Sequence, residues 1–196
     1  MVTTLVIIGI IIILAIWLAT IYNGLVRLRN IVKNGWSQID VQLQRRYDLI
    51  PNLIETVKGY MAYERGTLEA VVNARATAVQ AREKVAQAGG PTNASLTELA
   101  GAESALKSSL GNIFALAENY PQLKASDNMR ALQEELASTE NKIAFSRQAY
   151  NDAAMTYNTK QQQFPTLIVA RPFGHHPVDL YQVEKPEAKE PVKVKF

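Results

Sequence analysis

The chain of 196 residues contains no cysteine, which excludes a disulfide, a thiolate nucleophile, a thiolate metal site and an acylated lipobox anchor. The redox compartment stays open. Histidine is almost as scarce, with His175 and His176 adjacent between Gly174 and Pro177. Metal ligands on one helix face come three or four residues apart, so this neighbouring pair reads as ordinary exposed loop. Glycine-rich phosphate loops, the GxSxG elbow and the HExxH helix are all missing. The net charge of +3 comes without a dense basic block interleaved with aromatics, so no nucleic-acid partner is expected.

Charge is also absent from Met1 to Val26, and Leu5 to Leu18 is almost purely apolar. About 20 such residues cross a bilayer, which makes the lipid bilayer the first expected partner. A buried core helix would carry polar residues at each turn. A cleaved signal peptide would carry a basic leading region and a small-x-small site, and neither pattern is found. Trp17 and Tyr22 suit an interfacial belt. Arg27, Arg29 and Lys33 precede the first acid, Asp40, while the other flank has no basic side chain. By the positive-inside rule the expected location is the cell (inner) membrane, single-pass, with the C-terminal domain cytoplasmic.

Beyond the span, Leu25, Leu28, Val32, Trp36, Ile39, Leu43, Tyr47 and Ile50 recur at three- and four-residue spacing, so the membrane helix is expected to run on as an amphipathic one. Pro51 marks a kink or a reversal, the sequence leaving both open. A second helix is expected from Pro51 to Ala88, with Ile54, Val57, Met61, Leu68, Val72 and Val79 inward and Gly89-Gly90-Pro91 as its stop. A third begins after Asn93 or Ser95 and carries Leu96, Leu99, Leu106, Leu110 and Ile113. The fourth steps from Met129 through Leu132, Leu136, Thr139, Ile143, Ser146, Tyr150, Ala153 and Tyr157 to Phe164. That rhythm is a bundle contact, too small and polar for a zipper that dimerises alone. Thr166 to Ala170 is too short and isolated for a sheet, and the charged, proline-punctuated stretch from Val183 to Lys193 reads as a flexible tail.

The fold class is therefore all-α: an N-terminal transmembrane helix followed by a bundle of long antiparallel helices. The expected domains are 1–26 as transmembrane anchor, 27–165 as helical bundle and 166–196 as irregular C-terminal tail.

Few residues carry chemistry. Glu134 and Glu135 are sequence neighbours, point to different sides of a helix and read as solvated surface. Arg45, Arg46, Tyr47 and Asp48 form a small polar constellation near Pro51, read as a surface salt bridge between Arg45 and Asp48, with a membrane-surface role for Arg45 and Arg46 as the middle option.

Three runs are then diagnostic in combination: Tyr22-Asn23-Gly24-Leu25-Val26; Trp36-Ser37-Gln38-Ile39-Asp40; and Arg45-Arg46-Tyr47-Asp48-Leu49-Ile50-Pro51-Asn52-Leu53. With Tyr120-Pro121, Asn141-Lys142-Ile143-Ala144 and Tyr150-Asn151-Asp152, they make the chain resemble the LemA family over about residues 20 to 170. The resemblance implies a bacterial membrane protein with an N-terminal span and long antiparallel helices. It brings no catalytic residues, and it implies a context of membrane-protein quality control or membrane organisation. The segment after Pro172 departs from the family's aromatic-rich ending.

The expected function is a membrane-anchored, non-catalytic helical scaffold or adaptor, a homo-oligomer assembling at the membrane surface, with a membrane protein as a further possible partner. The alternatives are a regulatory or sensor subunit of a membrane protease or transporter that presents the Trp36 to Leu53 segment, and an enzyme with a carboxylate-only hydrolytic site. No catalytic, cofactor or metal residues are expected. Asn23, Trp36, Arg45, Arg46, Asp48 and Pro51 are the residues expected to shape the membrane-proximal unit.

Overall fold

The structure, a computed structural model, describes residues 1–61 and 63–182. The expected flexible tail from Val183 lies outside the described residues. Among the described residues six helices follow one another, α1 (Val2–Lys58), α2 (Arg65–Gln87), α3 (Asn93–Ala117), α4 (Pro121–Lys124), α5 (Asp127–Gln162) and α6 (Thr166–Ala170), and there is no strand. The fold is all-α.

Helix α1 runs unbroken for 57 residues and carries Pro51 inside it. Its first part is long and apolar enough to cross a membrane, and no residue of that window is buried by the other described residues. From Leu25 onward the three-and-four pattern turns inward as expected: Leu25, Val32, Ile39, Leu43, Tyr47 and Ile50 are all buried.

The chain turns around at Gly59 to Glu64, not at Pro51. The second helix therefore starts at Arg65, and this break resets its helical phase. Val71 is buried and Val72 half exposed, the reverse of what one continuous helix from Pro51 predicts. The stop is as expected, for Gly89 and Gly90 have positive φ and their amides cap the last carbonyls of α2. Helix α3 is capped by Thr92, one residue earlier than expected. Ser95 N–H donates to Thr92 Oγ1 at 3.3 Å while Thr92 N–H donates to Ser95 Oγ at 3.1 Å.

The contacts divide the chain into two compact units. The first comprises Met1–Gln42 and Asn141–Leu180, and α1, α5 and α6 bury Leu25, Val32, Ile143, Tyr150, Tyr157 and Val169 there. Gly35 of α1 lies so close to α5 that a Cβ on it would stand 3.2 Å from the Cα of Tyr150. Glycine permits this approach, and Trp36 packs edge-on against the Tyr150 ring at 5.9 Å. The seam of α5 ends before Phe164, which is 82% exposed; Gln161 takes the inward position.

The second unit comprises Leu43–Glu140 with Tyr181 and Gln182. Here α2 and α3 form an antiparallel hairpin that buries Leu68, Val71, Val85, Leu99, Leu106 and Ile113.

Candidate functional site

In the second unit, Arg46 is only 5% exposed although it falls in a polar stretch of sequence. Its position on α1 is set by the flanking Leu43, Tyr47 and Ile50, which bury the same side of the helix. A buried guanidinium must be paired, and Arg46 meets Glu103 of α3 and Glu140 of α5, the latter through Nη1 to Oε2 at 2.6 Å. Lys107 reaches the other oxygen of Glu140 at 2.7 Å. The Tyr47 hydroxyl donates to Glu103 and lies 3.4 Å from the Ala78 carbonyl oxygen. One Arg and one Lys thus face two carboxylates, and α1, α3 and α5 are tied together where they cross. Separating these helices would leave the Arg46 guanidinium buried without its carboxylates.

Arg45 points away from this network and pairs with Glu135 of α5, its Nε donating at 2.9 Å. Asp48 accepts instead from Gln44 Nε2, at 2.6 Å. The intrahelical Arg45 to Asp48 pairing expected from their spacing is thus replaced by an interhelical pair and a neighbour contact. Glu135 joins the fold through Arg45 where sequence spacing suggested bare surface.

Next to the network, between α3 and α5, lies a cleft of about 400 Å³. Leu110, Gly111, Phe114, Leu136 and Ala137 make its apolar walls, and Arg46, Lys107 and Glu140 stand at its polar edge. Among the described residues no group of three His, Asp or Glu side chains is arranged to hold a metal ion.

Pro51 is exposed on α1. Lacking an N–H, it cannot donate to the carbonyl of Tyr47 four residues earlier, and Arg75 of α2 does so in its place, Nε to O at 2.7 Å.

Asn23 and Trp36 belong to the first unit, where Asn23 is exposed and Trp36 half-buried. The six singled-out residues therefore do not converge on one site.

The first unit also holds a group that sequence spacing missed. His175 is buried, and its Nδ1 is hydrogen-bonded to the Tyr157 hydroxyl at 3.0 Å. Tyr22 stands edge-on to the His175 ring at 5.9 Å and tilted against Phe173 at 5.2 Å. The chain after α6 is fastened to α5 by Asn158, which donates to the Val178 carbonyl and accepts from the Val178 N–H, both at 2.8 Å, and by Tyr150, which donates to the Asp179 carbonyl at 2.7 Å. Burial and the charge of Arg29 lower the His175 pKa, with His176 adding to the effect. Burial raises that of Tyr157. The expectation of an exposed histidine pair holds for His176 alone. The Asn158 and Tyr150 side chains were the available signal, being polar groups on an otherwise inward seam.

Fold and site together define a membrane-associated helical protein whose buried polar groups are organised for interhelical pairing. The chain belongs to the LemA family, whose family model matches residues 35–196. It is 26% identical over 190 residues to magnetosome protein MamQ 2 of Paramagnetospirillum magneticum, covering 87% of this chain and 68% of that one. Magnetosome protein MamQ of Magnetospirillum gryphiswaldense is 25% identical over the same extent. Protein LemA of Metamycoplasma hominis is 27% identical over 165 residues, 84% of this chain and 70% of that protein.

Proposed function

We propose that this protein is a single-pass membrane-anchored, non-catalytic scaffold or adaptor whose helical part lies on the cytoplasmic side and self-assembles at the membrane surface. The observation that carries this reading is α1 itself. One unbroken helix carries an apolar stretch that none of the other described residues covers and goes on to supply buried side chains to each packed unit. No Gly- or Ser-rich spacer intervenes, so displacement of the anchor is transmitted to the packed part.

The non-catalytic role is supported by the use to which the polar groups are put. Glu103 and Glu140 are each occupied by a cation, and Tyr47 by Glu103, in contacts that hold helices together. Self-assembly is supported by the exposed Ile31, Phe145 and Met155, since the α5 seam is already consumed within the chain. The cytoplasmic placement is supported by Arg27, Arg29 and Lys33 directly after the apolar stretch.

A partner's apolar side chain entering the α3–α5 cleft is the form in which the regulatory-subunit reading survives. In the Trp36 to Leu53 segment that it relied on, Arg46, Tyr47, Ile50 and Leu53 are buried.

Protease treatment of sealed vesicles tests the orientation: the helical part should be digested only when the cytoplasmic face is accessible, and digestion from the opposite face would reverse it. Light scattering of the detergent-solubilised chain tests assembly, and a monomer at every concentration would end that part of the proposal.

A further inference from the structure

The end of α5 and the short helix after it place a second apolar group beside the membrane-spanning part of α1. In the first unit α1 and α5 run antiparallel. The Gly35 and Trp36 position meets Tyr150, while Tyr22, earlier on α1, shares the ring of His175 with Tyr157, later on α5. Both helices rise about 1.5 Å per residue, so each further residue on α5 faces about one residue earlier on α1. Gln162, twelve beyond Tyr150, lies about level with Asn23, twelve before Gly35. A span of about 20 residues ending near Tyr22 puts this level at the membrane boundary.

At that level the chain exposes three large apolar side chains alongside the polar Asn23, Gln162 and Gln163. Phe164 is 82% exposed, Ile168 62% and Phe173 63%. Leu167 N–H donates to Gln163 O at 2.8 Å across the cis Phe164–Pro165 bond, closing a turn ahead of α6. Thr166, Val169 and Ala170 of α6 are buried, and Phe164 and Ile168 are left outward beside them. Phe173 is held against Tyr22, itself at the end of the uncharged stretch, and the exposed Arg171 adds a cation. Single exposed apolar side chains are common in soluble proteins; three on one short segment at the depth of the bilayer boundary are not explained by that background.

We propose that the segment from Phe164 to Phe173 is a second, monotopic membrane contact. Phe164, Ile168 and Phe173 enter the headgroup and upper acyl layer of the bilayer that α1 spans, and Arg171 lies at the level of the lipid phosphates. The occupant of this face is lipid because the face continues the surface already given to lipid by α1. Two separated contacts fix the tilt and rotation of α1, which one helix alone leaves free. This rests on the reading that α1 crosses the membrane.

The absence of native cysteine makes the test direct. The full chain, carrying one spin-labelled cysteine at a time as F164C, I168C or F173C, is reconstituted into vesicles of phosphatidylcholine and phosphatidylglycerol. Collision with oxygen, which concentrates in lipid, is compared with collision with a water-soluble nickel chelate. I12C in the apolar stretch and E69C on exposed α2 are the references. The three labels are expected to show an oxygen-to-nickel ratio several-fold above that of E69C and below that of I12C. Values equal to E69C with I12C still lipid-immersed overturn the proposal and leave the span intact. An aqueous I12C removes both. Labels shielded from both reagents, with spin-spin broadening that disappears on dilution with unlabelled chain, assign the face to a second copy and also overturn it. Adding I168E to the F164C chain should move that label toward water; no movement counts against a lipid contact there.

Discussion

The carbonyl oxygen of Tyr47 accepts a hydrogen bond from Nε of Arg75 at 2.7 Å, in the place of the backbone donor that Pro51 lacks. The same tyrosine's hydroxyl donates to Glu103 at its other end. Tyr47 therefore joins α1 to α2 through its backbone and to α3 through its side chain. A proline inside a 57-residue helix, seven residues before its end, is tolerated because a neighbouring helix satisfies the group it frees.

Removing that replacement donor should be costly only while proline is present. Arg75→Ala is expected to destabilise by about 1–3 kcal/mol through the unpaired carbonyl. In a Pro51→Ala background the backbone N–H is restored and the same change should cost clearly less. Thermal melts of the four detergent-solubilised chains measure the coupling, and equal costs in both backgrounds would show that Arg75 acts in some other way.

The Arg46 network should behave as a buried ion pair. Arg46→Ala leaves the Glu103 carboxylate buried without its cation and is expected to cost about 3–5 kcal/mol. Replacing both, as Arg46→Met with Glu103→Leu, removes the unpaired charge and should recover much of the loss. Denaturant titration compares the two; a double variant no more stable than the single one would point to a role for the charges beyond pairing.

At the crossing of α1 and α5, Gly35→Ala puts a methyl 3.2 Å from the Tyr150 Cα, so a small loss is expected. Gly35→Leu must push the helices apart and should cost about 1–3 kcal/mol or more. The accompanying change in the Trp36 environment, now edge-on to Tyr150, should appear as a shift in tryptophan emission. Unaltered stability and emission in the leucine variant would mean that the helices do not approach closely in solution.

Stability should fall on mild acidification. His175 has a lowered pKa in the folded chain, from burial first and then from Arg29, so the unfolded chain binds its proton more readily. Its contribution is full above the ordinary histidine value near 6.5 and is lost as pH falls through that value toward the folded one. Protonation also fixes Nδ1 as a donor toward the Tyr157 hydroxyl. Melting temperatures at pH 7.5 and 5 should therefore differ less in His175→Gln than in the parent. An undiminished difference would assign the acid sensitivity to other groups.

The uncharged first 26 residues, the inward stripe from Leu25 to Ile50, the Gly89-Gly90 stop and the apolar repeat of α3 determine by themselves an all-helical chain with an apolar leading helix. These are local properties, set by periodicity, backbone permissiveness and the length of an apolar run. Only tertiary structure decided that Pro51 stays inside α1, because the outcome depends on a donor 24 residues away on another helix. It likewise turned Arg46 from apparent surface into buried network and separated it from Arg45, its sequence neighbour. His175 was buried by Tyr157, Asn158 and the strap they hold. In each case the partner is remote in sequence, and the energy of a buried polar group lies in its partner rather than in its neighbours along the chain.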